Sequence, residues 1–368
     1  MIKMNKLLIL LIISAFVLSC TNKKEKRANE LPTYQIDFDN TDNFNFDNEI
    51  DTFFYIPLET DKSNLLGKIS KVQIDSVIAI LDELNQTLHV YSMEGKLLNV
   101  IDKRGNGPEE YAQISDFFLS SKDGYIEVLD AMQLKIIRYN IMGDFINEMK
   151  LPFSVGISRF VKKDGYYIFD QQTRRNEKEL KYSLLVLSPQ GKIINKIFPY
   201  DKSADILFSS RKTLYYVDNK LHYLPIYCDT IFSIEGEKAI PMFRIDFSDK
   251  WTDKSVMYSK VNNPMDFINK IKNSNFITFL NVLETNSTIW IDFIYKDKKY
   301  CSIIDKLSSH ISTYSNDESK DCGTQIGTIL TTWNNYFVIP ESAEKMIEQF
   351  DIKTDSEDNP FLIFVKFK

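Results

Sequence analysis

The chain has 368 residues, of which 43% are hydrophobic and 26% charged, which excludes a disordered chain and a protein with several membrane spans. A formal charge of −6 gives it no general attraction for nucleic acid or anionic lipid headgroups. Aromatic residues reach 13%, mostly Phe and Tyr, and with many Ile and Val in short runs they favour strands over helices.

At the N-terminus, Lys3 and Lys6 form a basic segment, and Leu7 to Leu18 an apolar one too short to span a bilayer comfortably. The stretch ends in Val17-Leu18-Ser19-Cys20. This resembles a bacterial lipoprotein signal, which implies that residues 1–19 are removed and that Cys20 becomes the lipidated first residue. An ordinary secretory signal cleaved nearby is the alternative. Acyl chains on Cys20 would anchor the protein stably, since each buried CH₂ contributes about 0.8 kcal/mol. Thr21 to Glu30 is polar and locally basic, and the segment 20–52 reads as the lipidated Cys and its tether. The expected location is the cell envelope, as an outer-membrane lipoprotein on either the periplasmic face or the cell surface. Of the other cysteines, Cys228, Cys301 and Cys322, the odd number argues against a complete disulfide framework. Cys301 and Cys322 could pair in an oxidising compartment, or all three could be buried thiols.

Phe53-Phe54-Tyr55-Ile56-Pro57-Leu58 opens the folded domain, expected over 53–368, as an isolated strand. A repeat then begins. Three turns, Glu94-Gly95-Lys96, Met142-Gly143-Asp144 and Gln190-Gly191-Lys192, have their glycines 48 residues apart, and Glu235-Gly236-Glu237 follows 45 later. Short apolar runs flank each, as in a hairpin whose glycine takes a positive φ. A second hairpin precedes each of the first three, with turns at Ile74-Asp75-Ser76, Asp123-Gly124 and Asp164-Gly165. Ile69-Ser70, Ile114-Ser115 and Ile157-Ser158 open the innermost strands, and Asp82, Asp130 and Asp170 end the next ones. Four short strands in 40–50 residues is the period of a β-propeller blade.

Later copies are more degenerate. Thr213 to Phe247 gives a fourth set of strands, Ser248 to Ile271 a polar insertion with helical character, Phe276 to Tyr314 a fifth set, and Ile329 to Ile339 the start of a sixth. Glu341 to Phe350 reads as a helix with Met346, Ile347 and Phe350 on one face, packing on the disc. The last strand is Phe361 to Phe367. Economy predicts that the isolated N-terminal strand joins this C-terminal blade as its outer strand and closes the ring; Pro57 suits an edge position.

Tyr55-Ile56-Pro57-Leu58-Glu59-Thr60, the turn Arg104-Gly105-Asn106-Gly107-Pro108-Glu109-Glu110-Tyr111 and the closing Asp358-Asn359-Pro360-Phe361-Leu362 resemble the six-bladed β-propeller lipoproteins of Bacteroidetes, relatives of the NHL-repeat propellers. The resemblance implies an all-β, six-bladed β-propeller of four-stranded blades. It supplies little function, because function lives in sites rather than in folds.

Two sets of residues are candidate sites. Arg104, Asn106, Glu109, Glu110 and Tyr111 lie on the crossover between the first two blades and could present polar groups to a ligand; alternatively the turn only fixes the crossing geometry. Asp82, Asp130 and Asp170 recur at equivalent places and could hold Ca²⁺, which takes about six to eight oxygen ligands; alternatively each caps a turn. No other cofactor is expected. His89, His222 and His310 show no metal-binding spacing, and no nucleophile elbow, P-loop or C-x-x-C occurs. The reading that follows is a membrane-anchored envelope module binding a ligand or a protein, glycan or peptide partner, with no nucleic acid. Its rival is a channel-mouth hydrolase or lyase of the NHL or lactonase kind, with or without the assistance of Ca²⁺.

Overall fold

The structure, a computed structural model, describes residues 31–39, 41, 44–60, 64–152, 157–171, 181–199, 213–226, 228–251, 265–266, 269, 275–277, 279–296, 298–315 and 327–368. Cys20, Cys322 and most of the Ser248–Ile271 insertion lie outside them. Residues Thr33–Lys368 form one compact unit; of the preceding segment, Met1–Pro32, only Leu31 and Pro32 are described.

Six antiparallel four-stranded sheets stand side by side in a ring, a six-bladed β-propeller. Blade 1 comprises Ile69–Ile74, Ile78–Asp82, Thr87–Tyr91 and Leu97–Ile101. Blade 2 runs from Asp116–Ser120 to Phe145–Lys150 and blade 3 from Ile157–Lys163 to Ile193–Pro199. Blade 4 runs from Leu214–Val217 to Lys238–Asp246 and blade 5 from Phe279–Glu284 to Ile311–Ser315. Blade 6 is composite: Thr331–Trp333, Tyr336–Glu341 and Phe361–Phe367, completed by the N-terminal strand Ile50–Pro57. That strand pairs antiparallel with Phe361–Phe367, from Ile50 opposite Phe367 to Pro57 opposite Phe361, so the expected ring closure is present.

The packing explains the sequence pattern. Neighbouring blades bury their faces against each other. The middle strands Ile78–Asp82 and Thr87–Tyr91 are therefore buried along their whole length, without polar alternation. Ala79, Leu81, Leu88 and Val90 of blade 1 pack on Phe117, Ile126, Val128 and Tyr139 of blade 2, and similar clusters fill the other seams. Fully burying one such large side chain contributes about 1.5–3 kcal/mol.

The repeated glycines have two reasons to be glycine. Gly95, Gly143 and Gly191 have φ of 82°, 85° and 79°. Each also presses on the outer strand of the blade before it. A Cβ on Gly95 would lie 2.0 Å from the Pro57 carbonyl oxygen, and one on Gly143 2.6 Å from the Asn99 amide nitrogen. The 48-residue period is thus the distance between successive contacts of this kind.

The chain reaches blade 6 by a route that the sequence reading did not include. Thr33–Gln35 adds as a fifth, parallel strand to the outer strand of blade 4. Ile36, Phe38 and Phe44 are then buried, with the Phe38 ring among Phe293, Tyr295 and Tyr300 at 5.1–5.2 Å between ring centres. Thr41 donates to the Ser315 hydroxyl at the outer strand of blade 5. The described residues between 33 and 50 therefore strap blades 4, 5 and 6 together. The helix Ala343–Phe350 forms close to its expected place, capped by the Ser342 hydroxyl and docked through Met346. No helix among the described residues is long and apolar enough to cross a membrane.

Candidate functional site: the central channel

Innermost strands of all six blades surround a channel of about 1780 Å³. Its lining is polarised. Blades 1–3 contribute the cations Lys68, Lys71, Arg159, Lys162 and Lys163 beside the acids Asp75, Asp116 and Asp164. Blades 4–6 contribute the acids Asp218, Glu284, Asp292 and Glu341 and the single cation Lys345. Phe118, Tyr216 and Trp333 add aromatic surface.

Ion clusters bridge the seams next to this lining. The Lys71 ammonium donates to Asp116 Oδ1 and to the Phe117 carbonyl, both at 2.6 Å, while Asp116 Oδ2 accepts from the Phe160 amide at 2.9 Å, so blades 1, 2 and 3 are joined at one point. Burial lowers the Lys71 pKa, Asp116 opposes that shift, and the charge of Arg159 adds to it. Glu127, fully buried, accepts from Arg138 and Tyr167 at 2.7 Å and pairs with Lys162 at 3.3 Å.

Between blades 4 and 5, Glu284 Oε1 accepts from Tyr215 at 2.7 Å and lies 2.8 Å from His222 Nδ1, and Oε2 is 2.7 Å from the Lys306 ammonium. Burial and the Glu284 charge push the Tyr215 phenol far up, so it stays protonated. This is the geometry of a carboxylate orienting a histidine base. His222 itself does not line the channel, and its buried Nε2 has no hydrogen-bond partner among the described residues.

The residues singled out from the sequence lie elsewhere. None of Arg104, Asn106, Glu109, Glu110 and Tyr111 lines the channel. Their turn is the crossover from blade 1 to blade 2. Within it, the Gly105 amide donates to the Tyr111 carbonyl at 2.9 Å and the Gly107 amide to Glu110 Oε2 at 2.8 Å. A Cβ on Gly105 would sit 1.9 Å from Glu110 Oε2, so a side chain there would displace the Glu110 carboxylate from the Gly107 amide. Tyr111 is fully buried: its hydroxyl contacts the Gln86 and Ile101 carbonyls and accepts from the Lys103 amide, and burial pushes its pKa up to about 12. Arg104 donates to the Asn85 carbonyl, and the Glu109 carbonyl accepts from Tyr139. Arg104, Asn106 and Glu109 keep exposed side chains. Tyr111→Phe is expected to cost about 1–3 kcal/mol, because the phenol joins the turn to blade 1 and leaves buried groups unpaired when removed; urea unfolding measures it.

Asp82, Asp130 and Asp170 lie in three different blades and are not brought together. Asp82 accepts from the Gly67, Lys68, Leu84 and Asn85 amides at 2.7–3.1 Å. Burial would raise its pKa, but these donors outweigh burial and lower it. Asp130 accepts from the Ala112, Met132 and Gln133 amides, and Asp170 from the Thr213 and Tyr223 hydroxyls. Each ties a crossover to the end of its blade's second strand. Among the described residues no group of three or more His, Cys, Asp or Glu is placed to hold a metal ion.

The channel residues escaped sequence reading because they come from first strands far apart in the chain. One signal was present: charged residues at Lys71, Arg159, Lys162 and Lys163 inside otherwise apolar strands.

No curated protein sequence matches the chain. A candidate exported protein of Bacteroides fragilis is 20% identical, with 92% of this chain and 100% of that one aligned at a TM-score of 0.78. A DUF4221-family protein of Bacteroides vulgatus is 13% identical over 87% of this chain and 97% of its own, at a TM-score of 0.56. At these identities the likeness is one of fold. Residues 22–340 match the family description "6-bladed beta-propeller". With blades, closure and crossovers all in place, the chain belongs to the DUF5128 family of six-bladed β-propellers.

Proposed function

We propose that the chain is a lipid-anchored propeller of the bacterial cell envelope, of NHL-like ancestry, that binds a ligand or the end of a protein, glycan or peptide partner in its central channel without transforming it. The observation that carries this reading is the channel: about 1780 Å³, bordered by every blade and lined by charged groups of both signs, the cations mostly on blades 1–3. A concave site that gathers polar groups from several elements can fix a ligand's orientation. The likeness to a candidate exported protein and the Leu7–Cys20 segment support the envelope location.

The test is a ligand-observed NMR screen of the full chain and of Thr331→Trp, which narrows the channel from blade 6. Ligands that bind the parent and not the variant support the reading; binding that ignores the variant places the site elsewhere. For the anchor, Cys20→Ala should move the protein from the membrane fraction to the soluble envelope fraction, and continued retention would count against lipidation.

A second reading, a hydrolase or lyase, is favoured by the Glu284–His222 pair alone. It requires His222 Nε2 to reach a substrate. Turnover of any ester, lactone or glycan that His222→Gln abolishes, or one Ca²⁺ per purified chain, would favour it.

A further inference from the structure

The strand Ile50–Pro57 runs on into blade 1 and is held to the rest of blade 6 by pairing with Phe361–Phe367, so the ring closes there without a covalent link. A histidine faces the seam next to this closure. Along the third strand of blade 1, Thr87–Tyr91, side chains alternate between the two faces. Leu88 and Val90 pack on blade 2, whereas Tyr91 packs with Ile56, Leu58, Val338, Leu362 and Phe364 of blade 6. Thr87 and His89 therefore point to blade 6 as well. His89 is 2% exposed, its ring lies nearly parallel to that of Tyr91 with centres 6.2 Å apart, and its Nε2 is 3.1 Å from the Thr87 hydroxyl. Among the described residues, its Nδ1 and the Tyr91 hydroxyl have no hydrogen-bond partner. The charges that act on this pair are those of Asp82, already held by four backbone amides, and, on Tyr91, of Glu59. The other two histidines are placed differently: His222 has the Glu284 carboxylate at 2.8 Å, and His310 is exposed.

We propose that His89 makes the closing seam an acid-sensitive latch: blade 6 sits on blade 1 while the imidazole is neutral, and its protonation loosens this seam ahead of the others. A neutral imidazole carries one N–H and a charged one carries two. The Thr87 hydroxyl can serve Nε2, so a charged ring leaves an Nδ1–H donor without an acceptor, in a seam whose blade 6 side is apolar. A buried donor without a partner and a buried charge without a counter-ion are both costly. Burial accordingly lowers the His89 pKa from its ordinary 6.5, and the Asp82 charge opposes this without overcoming it. A folded value below the unfolded one means that the unfolded chain takes up its proton first. The seam is therefore at full strength above about pH 6.5 and loses strength as pH falls from there through the lower, folded value. At His222 a new charge would meet Glu284, so the seam between blades 4 and 5 has no such weakness in this pH range.

Limited proteolysis of the full chain at pH 7.5 and pH 5.0, in parallel with His89→Gln, tests it. The glutamine cannot take up a charge, and taking the parent's rate relative to the variant's at each pH cancels the protease's own pH dependence. The relative rate of cleavage between Pro57 and Leu66 should rise about tenfold from pH 7.5 to pH 5.0. Cleavage within the middle strands of blade 1 should not rise with it, and His310→Gln should respond to pH as the parent does. Should His89→Gln fail to fold, NMR of the parent's imidazoles decides. The His89 signal, identified by its contact with the Tyr91 ring, should be that of a neutral ring at pH 7.5 and should convert to the charged form together with the onset of cleavage. The proposal is overturned if the relative rate is the same at both pH values, if the middle strands are cleaved as early as the closing segment, if His310→Gln removes the response, or if His89 becomes charged with no change in cleavage.

Discussion

Glu284→Ala is expected to destabilise the protein by about 3–5 kcal/mol, the range for breaking a buried ion cluster by removing one partner. The carboxylate is almost fully buried and receives Tyr215, His222 and Lys306 from both sides of the seam between blades 4 and 5. Among the described residues, alanine leaves the Tyr215 hydroxyl and His222 Nδ1 buried without an acceptor, while Lys306 keeps the Thr285 carbonyl. Glu284→Gln retains shape and one acceptor oxygen, so its cost should be smaller, about 1–3 kcal/mol. Acid gives a second readout. Burial alone would raise the Glu284 pKa, but the His222 hydrogen bond and the Lys306 charge overcome it and hold the carboxyl below its ordinary 4.5. A folded pKa below the unfolded one means that the carboxylate stabilises the fold above about pH 4.5 and that this contribution is lost as pH falls through the lower, folded value. The Gln variant should therefore lose less stability than the parent between pH 7 and pH 4. Urea unfolding at the two pH values measures both effects. An alanine variant within about 0.5 kcal/mol of the parent at pH 7 would show that the seam does not depend on the cluster.

The first three blades were legible because their contacts impose chemistry at fixed intervals. Gly95, Gly143 and Gly191 each need a positive φ and room for the preceding blade, and Asp82, Asp130 and Asp170 each tie a crossover to the blade. Blades 4 and 5 relax these demands. Gly236 has nothing within 4 Å of its Cβ position, and the corresponding turn of blade 5 uses Ser309 at φ 61°. The period fades where the constraint fades. The strap over blade 4 carried a weaker signal, the alternation of buried Ile36 and Phe38 with exposed Asp37 and Asp39, in a run shorter than an ordinary strand. The channel could not be assembled from the chain alone. Lys71 and Lys163 line one channel only because the ring places blade 1 and blade 3 on either side of blade 2. Conversely, Arg104 to Tyr111 looked like a binding loop because glycines, proline and charges also build a tight crossover.

Breaking the ring closure at two positions together should have a larger effect than either change alone. The Tyr55–Thr60 and Asp358–Leu362 motifs are its two halves. Ile56 is 8% exposed and packs with Leu58, Val338, Leu362 and Phe364 of blade 6 against Val72, Ile78, Ile80 and Tyr91 of blade 1. Just beyond the paired strands, Asn359 donates to the Glu59 carbonyl at 3.0 Å and accepts from the Leu66 amide at 2.9 Å, and its own amide donates to the Thr60 hydroxyl. Glu59 continues the contact into blade 1 by accepting from the Leu97 amide at 2.8 Å. Ile56→Ala should cost about 2–5 kcal/mol through the cavity it leaves, and Asn359→Ala about 1–3 kcal/mol through unpaired buried groups. The double variant approaches the whole stability of a typical domain, about 5–15 kcal/mol. Because no other strand pairing among the described residues holds blade 6 to blade 1, its loss should appear as faster unfolding and as proteolysis between Pro57 and Leu66, ahead of cleavage in the middle strands. Leu98→Ala, at a side chain 40% exposed on the outer strand of blade 1, is the control. A double variant that resists urea and protease as well as that control does would mean that blade-to-blade packing, rather than the closing strand, keeps the ring shut.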